Sequence, residues 1–179
     1  PARILDLWRN AERCATRGRY DDAVARLYRF VEWIAQWRLH QNHGLDASDM
    51  EWSRLSQQVI TRAGLSEQTG KKTLSGAVQA WKLVAALEPQ GVVATFLSAP
   101  FSGKHPRKTG ENRLRDMLDL RNHSILAHGE RPLGEDDWAK WQEFATELYG
   151  RVLAPLLQET GEAAGLPRQL PQDPAALGL

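Results

Sequence analysis

The sequence predicts an all-α fold, a compact bundle of five or six helices, on three observations. Apolar residues recur at threes and fours along most of the chain, no segment sustains a two-residue alternation with a hairpin signal, and Gly, Pro or acidic clusters punctuate the helical stretches. At 179 residues the chain is long enough for one domain with a sizeable core. That domain is expected over residues 1–164. A Pro-containing extended or disordered tail, with Pro167, Pro171 and Pro174, is expected over 165–179.

Residues 3–17 predict the first helix, with Ile4, Leu5, Leu7, Trp8 and Ala11 on one side, Arg9, Arg13 and Arg17 in a row, and Gly18 as the stop. The second runs from Tyr20 to about His40, opening on the Asp21-Asp22 pair that suits a helix N-terminus. Together they make a helical hairpin. Ser48, with Glu51 three residues on, resembles a capping box that would open a third helix ending near Ala63. Thr73 to Leu87 returns to helical spacing and stops before Pro89, while Val92 to Leu97 fits a short helix or a strand equally. Ser98 to Gly110 reads as a basic loop, and Glu111 to His128 as a helix that Gly129 would close with a left-handed cap. Glu135, Asp136 and Asp137 favour the start of a last long helix, which Pro155 should kink near its end.

Composition excludes several classes. No apolar run approaches the ~20 residues a membrane-spanning helix needs, and the start lacks the layout of a signal peptide, so a soluble cytoplasmic protein is expected. Cys14 is the single cysteine, which rules out an intrachain disulfide and a cysteine-built zinc site; it reads as a core residue. No metal site or cofactor is expected. Seven Trp suit either a packed helical core or a docking surface. The net charge of +1 hides an uneven spread, because residues 103–131 hold seven Lys or Arg against four acids. Lys104, Arg107 and Lys108 in the basic loop are candidate contacts to an RNA backbone, the plainer reading being a solvated surface.

The chemistry concentrates in Leu120-Arg-Asn-His-Ser-Ile-Leu-Ala-His-Gly129. On a continuous helix Arg121 and His128 are two turns apart and share a face with Leu114, Met117, Leu118 and Ile125, while Asp116, Asp119, Asn122 and His123 fall on the flanks and back. Two polar groups inside an apolar arc must be paired, or must open onto a cleft or interface. An imidazole near the C-terminal end of a helix suits acid or base work on a ribose hydroxyl or leaving oxygen. A guanidinium offers a fork of donors that matches a phosphate. The pair therefore suits RNA cleavage through the 2′-hydroxyl. Asn122 either orients the phosphate or imidazole or simply faces solvent; Ser124 either supports the pair or is a small packing residue; His123 reads as surface.

The string Arg121-Asn-His-Ser-Ile-Leu-Ala-His128 resembles the Arg-polar-(four to five residues)-His signature of HEPN domains, the higher eukaryotes and prokaryotes nucleotide-binding superfamily of small α-bundles. With Asn10-Ala-Glu-Arg13 and the Arg17-to-Arg29 segment, it resembles the C-terminal part of CRISPR-associated proteins that join a CARF sensor to a HEPN effector. The resemblance spans roughly residues 5–155. It implies a HEPN-like bundle acting as a metal-independent endoribonuclease on single-stranded RNA, with Arg121 and His128 catalytic, Asn122 as the polar position, and a composite cleft in a homodimer. It also implies an upstream CARF domain sensing cyclic oligoadenylate, which these residues do not contain. The competing expectation is a non-catalytic dimerisation or RNA-binding module in which Arg121 and His128 are structural. A helical scaffold binding a partner through its Trp-rich surfaces is a third.

Overall fold

The computed structural model describes residues 2–101, 108–125 and 129–161. Within them the regular structure is helical, apart from isolated bridges between single residues. Helices α1 (Ala2–Ala15) and α2 (Tyr20–His43) form the expected hairpin around a turn at Gly18. Short α3 (Gln57–Ala63) precedes α4 (Ala77–Leu87) and α5 (Val92–Ser98), and α6 spans Gly110–Asn122. The last rod comprises α7 (Glu135–Leu148), a π turn at Tyr149–Leu153 and α8 (Ala154–Glu159). No described helix is long and apolar enough to cross a membrane.

Helix α2 is the central element, packing against α1, α4, α6 and α7. Its buried residues Ala23, Val24, Leu27, Phe30, Val31, Ile34 and Leu39 explain why one helix can serve several neighbours: the apolar stripe is broad. Trp81 of α4 donates its indole N–H to the Val31 carbonyl of α2 at 3.1 Å, so the ring is buried without an orphaned donor. Trp8 of α1 meets Phe30 edge to face at 5.1 Å. Trp8, Trp81, Trp138 and Trp141 are core residues, whereas Trp33, Trp37 and Trp52 are half-buried; the tryptophans therefore serve chiefly as packing. Cys14 is buried, as its place in the helical pattern suggests.

One element departs from the sequence reading, and two that it left open or coarse take definite form. Ser48 does not open a helix: its hydroxyl and N–H both bond Asp46 Oδ1 in a turn, and α3 begins later, where the Ser56 hydroxyl accepts from the Val59 N–H. The segment at Val92 is helical. Pro155 follows a π turn in which the Ala154 N–H reaches back to the Tyr149 carbonyl, so the wider turn sits just before the missing proline donor. The tail expected over 165–179 lies outside the described residues.

Candidate functional site

Thr109 caps the N-terminus of α6, its hydroxyl accepting from the Asn112 N–H at 3.3 Å. Gly110 lies so close to α5 that a Cβ there would stand 2.2 Å from the Phe96 carbonyl oxygen. From this fixed start α6 buries Leu114, Met117 and Leu118 and exposes Asp119 and Asn122, as the helical spacing requires.

The helix stops earlier than expected. It ends at Asn122, and His123, Ser124 and Ile125 turn the chain back, so Arg121 and His128 do not share one continuous helix. His128 lies outside the described residues. The local sequence Asn-His-Ser favours side-chain competition with the helix, and the His123 Nδ1 lies 2.7 Å from the Asp119 carbonyl. Tertiary contacts complete the stop. The Ile125 N–H donates to the Arg131 carbonyl at 3.1 Å and the Gly129 N–H to the Ser124 carbonyl at 3.0 Å. A Cβ on Gly129 would fall 1.9 Å from the His123 carbonyl oxygen, so close backbone approach demands the glycine.

Both described ends of the loop are therefore held at the C-terminus of α6. Ser124 is 2 % exposed and packs in the loop base, while Ile125, expected on the buried face, is 56 % exposed because it lies beyond the helix end. The returning limb is anchored in the bundle. Arg131 donates to Asp137 Oδ2 at 2.7 Å, and the same oxygen accepts from the Gly134 N–H at 3.3 Å as a cap of α7. Asp137 is 1 % exposed. The Leu133 N–H is bound by the Asp21 carboxylate at the start of α2.

Arg121 occupies the last turn of α6 and is half-buried. Its guanidinium carbon stands 4.4 Å from the ring centroid of Tyr28 on α2, and one Nη donates to the Asn122 side-chain oxygen at 3.2 Å. No carboxylate forms an ion pair with it among the described residues. Burial, then the nearby Glu32 carboxylate, raises the Tyr28 phenol above its ordinary value, with Arg121 and Arg29 pulling the other way. The ring under Arg121 is thus neutral at physiological pH. Tyr28 and Asn122 also line a cleft of about 230 Å³ with Gly76, Ala77, Val78, Gln79, Arg115, Leu118 and Asp119.

The structure brings Arg121, Asn122 and Ser124 together and leaves Lys108 apart. Lys108 precedes α6, and its ammonium pairs with Asp116 at 2.7 Å midway along the helix, about 9 Å of helical rise from Asn122. Lys104 and Arg107 lie outside the described residues. Phe101 is bonded through its N–H to the Lys108 carbonyl at 2.7 Å, so the base of this loop is paired rather than open. Sequence reasoning missed Tyr28 and Asp137. Both act through partners distant in the chain, and only the acidic run Glu135-Asp136-Asp137 signalled a cap. Among the described residues no cluster of three or more His, Cys, Asp or Glu is arranged to hold a metal.

The family model described as "Csm6 HEPN domain" matches residues 1–151. Searches of curated proteins and of solved structures return no match.

Proposed function

The chain belongs to the Csm6 HEPN domain family, a CRISPR-associated group, and on that premise we propose that it is an endoribonuclease domain cutting single-stranded RNA without a metal. In the reaction the ribose 2′-oxygen attacks phosphorus and the bond from phosphorus to the 5′-oxygen breaks. The products are a 2′,3′-cyclic phosphate, or the 3′-phosphate from its hydrolysis, and a 5′-hydroxyl. His128 moves the proton, as base toward the 2′-hydroxyl or acid toward the leaving oxygen. Arg121 stabilises the charge that builds on the phosphorane oxygens. Asn122, hydrogen-bonded to Arg121, helps to orient it.

The observation that carries this reading is the state of Arg121. A structural arginine would be neutralised by a carboxylate or by carbonyls inside the bundle. This one rests on a neutral aromatic face beside an open cleft, with a single side-chain amide as its hydrogen-bond partner among the described residues. Its remaining donors suit a phosphate. Gly129, the residue after His128, is held against the same helix end.

A homodimer with both sites in one cleft fits the exposed Ile125, four residues after Arg121. Regulation by an upstream CARF domain that binds cyclic oligoadenylate fits the family and belongs to the same proposal. The test is cleavage of end-labelled RNA in EDTA by the wild type, Arg121→Ala and His128→Ala. Each variant should lose about 10²–10⁴-fold in rate while keeping its melting temperature and oligomeric state. Undiminished cleavage in both variants sinks the assignment; unfolding or loss of the dimer in both would favour the structural reading.

A further inference from the structure

Resting on the ribonuclease reading, we propose that the cleft between α2, the start of α4 and α6 is a subsite for one unpaired nucleobase beside the scissile phosphate, read by the amides of Gln79 and Asn122. The cleft shares two residues with Arg121: the ring of Tyr28, on which the guanidinium rests, and Asn122, which accepts from it. A phosphate held by Arg121 therefore places its adjoining nucleoside at the cleft mouth. At about 230 Å³ the space falls below the roughly 300–1,000 Å³ of pockets for drug-sized ligands and suits a single ring system.

Charge sorts base from phosphate. Asp119 lines the cleft and is exposed, and Arg115 is occupied by Glu111 through contacts of 3.1 and 2.8 Å, so the interior offers an anion little. The cleft instead combines apolar wall, from Ala77, Val78 and Leu118, with two primary amides. The half-buried Gln79 side chain makes no hydrogen bond to another described residue, and the Asn122 amide nitrogen likewise lacks a described partner. Each amide presents a donor beside an acceptor, the pairing that reads the edge of an unstacked base in single-stranded RNA.

The test uses the four homodinucleotides with 2′-O-methyl ribose, which blocks attack by the 2′-oxygen, and measures binding calorimetrically alongside sequencing of the ends released from a randomised RNA. The wild type should favour one base in both assays. Gln79→Leu should weaken that dinucleotide roughly tenfold and level the preference at the position next to the cut. Val78→Phe, which fills the cleft, should act the same way, and Gln36→Leu, in the separate cleft beside Trp33 and Trp37, should change neither. Melting temperatures verify that the variants fold. Equal binding of all four bases by the wild type, or selectivity untouched in Gln79→Leu and Val78→Phe, overturns the subsite. Cleavage with a preference indifferent to both variants removes the subsite and leaves the nuclease standing. Selective binding that Gln79→Leu abolishes, in a protein that cuts no RNA, keeps the subsite and removes the nuclease.

Discussion

Tyr28 gives Arg121 a place to rest without cancelling its charge. A carboxylate in the same position would hold the guanidinium more tightly but would compete with the phosphate of the proposed RNA substrate; an aromatic face attracts the cation and leaves its N–H edge open. Replacing Tyr28 with Leu should slow cleavage about 5- to 30-fold, the effect of about 1–2 kcal/mol of lost cation–π orientation. Tyr28→Phe keeps the ring and should stay near wild type. Single-turnover rates of the two variants make the comparison. Ser48 supports a second prediction at this scale. Its side chain and backbone hold the Asp46 carboxyl below the usual carboxylate range, so Ser48→Ala should raise the Asp46 titration midpoint, read by carboxyl-carbon NMR. Neither pairing is visible in a helical wheel: Tyr28 is remote from Arg121 in sequence, and Ser48 turned inward on a neighbour two residues away.

At the scale of the element, the length of α6 is set by its surroundings. Periodicity identified the helix and its buried Leu114, Met117 and Leu118, because a 3.6-residue repeat is a local property. It overran the C-terminus because Arg121 to His128 keeps helical spacing, while the stop depends on Gly129 lying against the His123 backbone and on Arg131 pairing with residues 125 and 137. Gly129→Ala should therefore force the loop open. Cleavage should fall at least tenfold while far-UV helicity persists, and amide exchange should quicken at Ser124, Ile125 and Gly129. Asp137→Ala removes a cap and the partner of Arg131. It should lower stability by about 1–2 kcal/mol, measured by urea unfolding.

For the whole molecule, the all-helical class was legible because nearly every apolar residue has a helical neighbour in sequence on which to line up. Phe101 is an exception: it sits in the core just after α5, in what composition alone made a polar basic loop. The candidate site was legible as a string and only partly as a geometry, since its supports come from α2 and α7. In the proposed reading, oligomeric state is the property at this scale that cleavage depends on. Ile125 is the large apolar side chain left exposed among the described residues, four residues after Arg121 in the chain. If it meets its twin across a two-fold axis, Ile125→Asp should shift the protein toward monomer in light scattering and reduce cleavage in proportion, with no change in melting cooperativity.

One helix touches the site twice. Asp21 receives the Leu133 N–H at the root of the loop, and Tyr28 carries Arg121 seven residues later, two turns along nearly the same side of α2. The spacing between loop root and guanidinium is thus ruled off by about 10 Å of one rigid rod. A single residue inserted between Ala23 and Leu27 would rotate one mark by about 100° relative to the other. The bundle would face a choice of which to keep in register, and the two halves of the site would drift apart without any residue in either having changed.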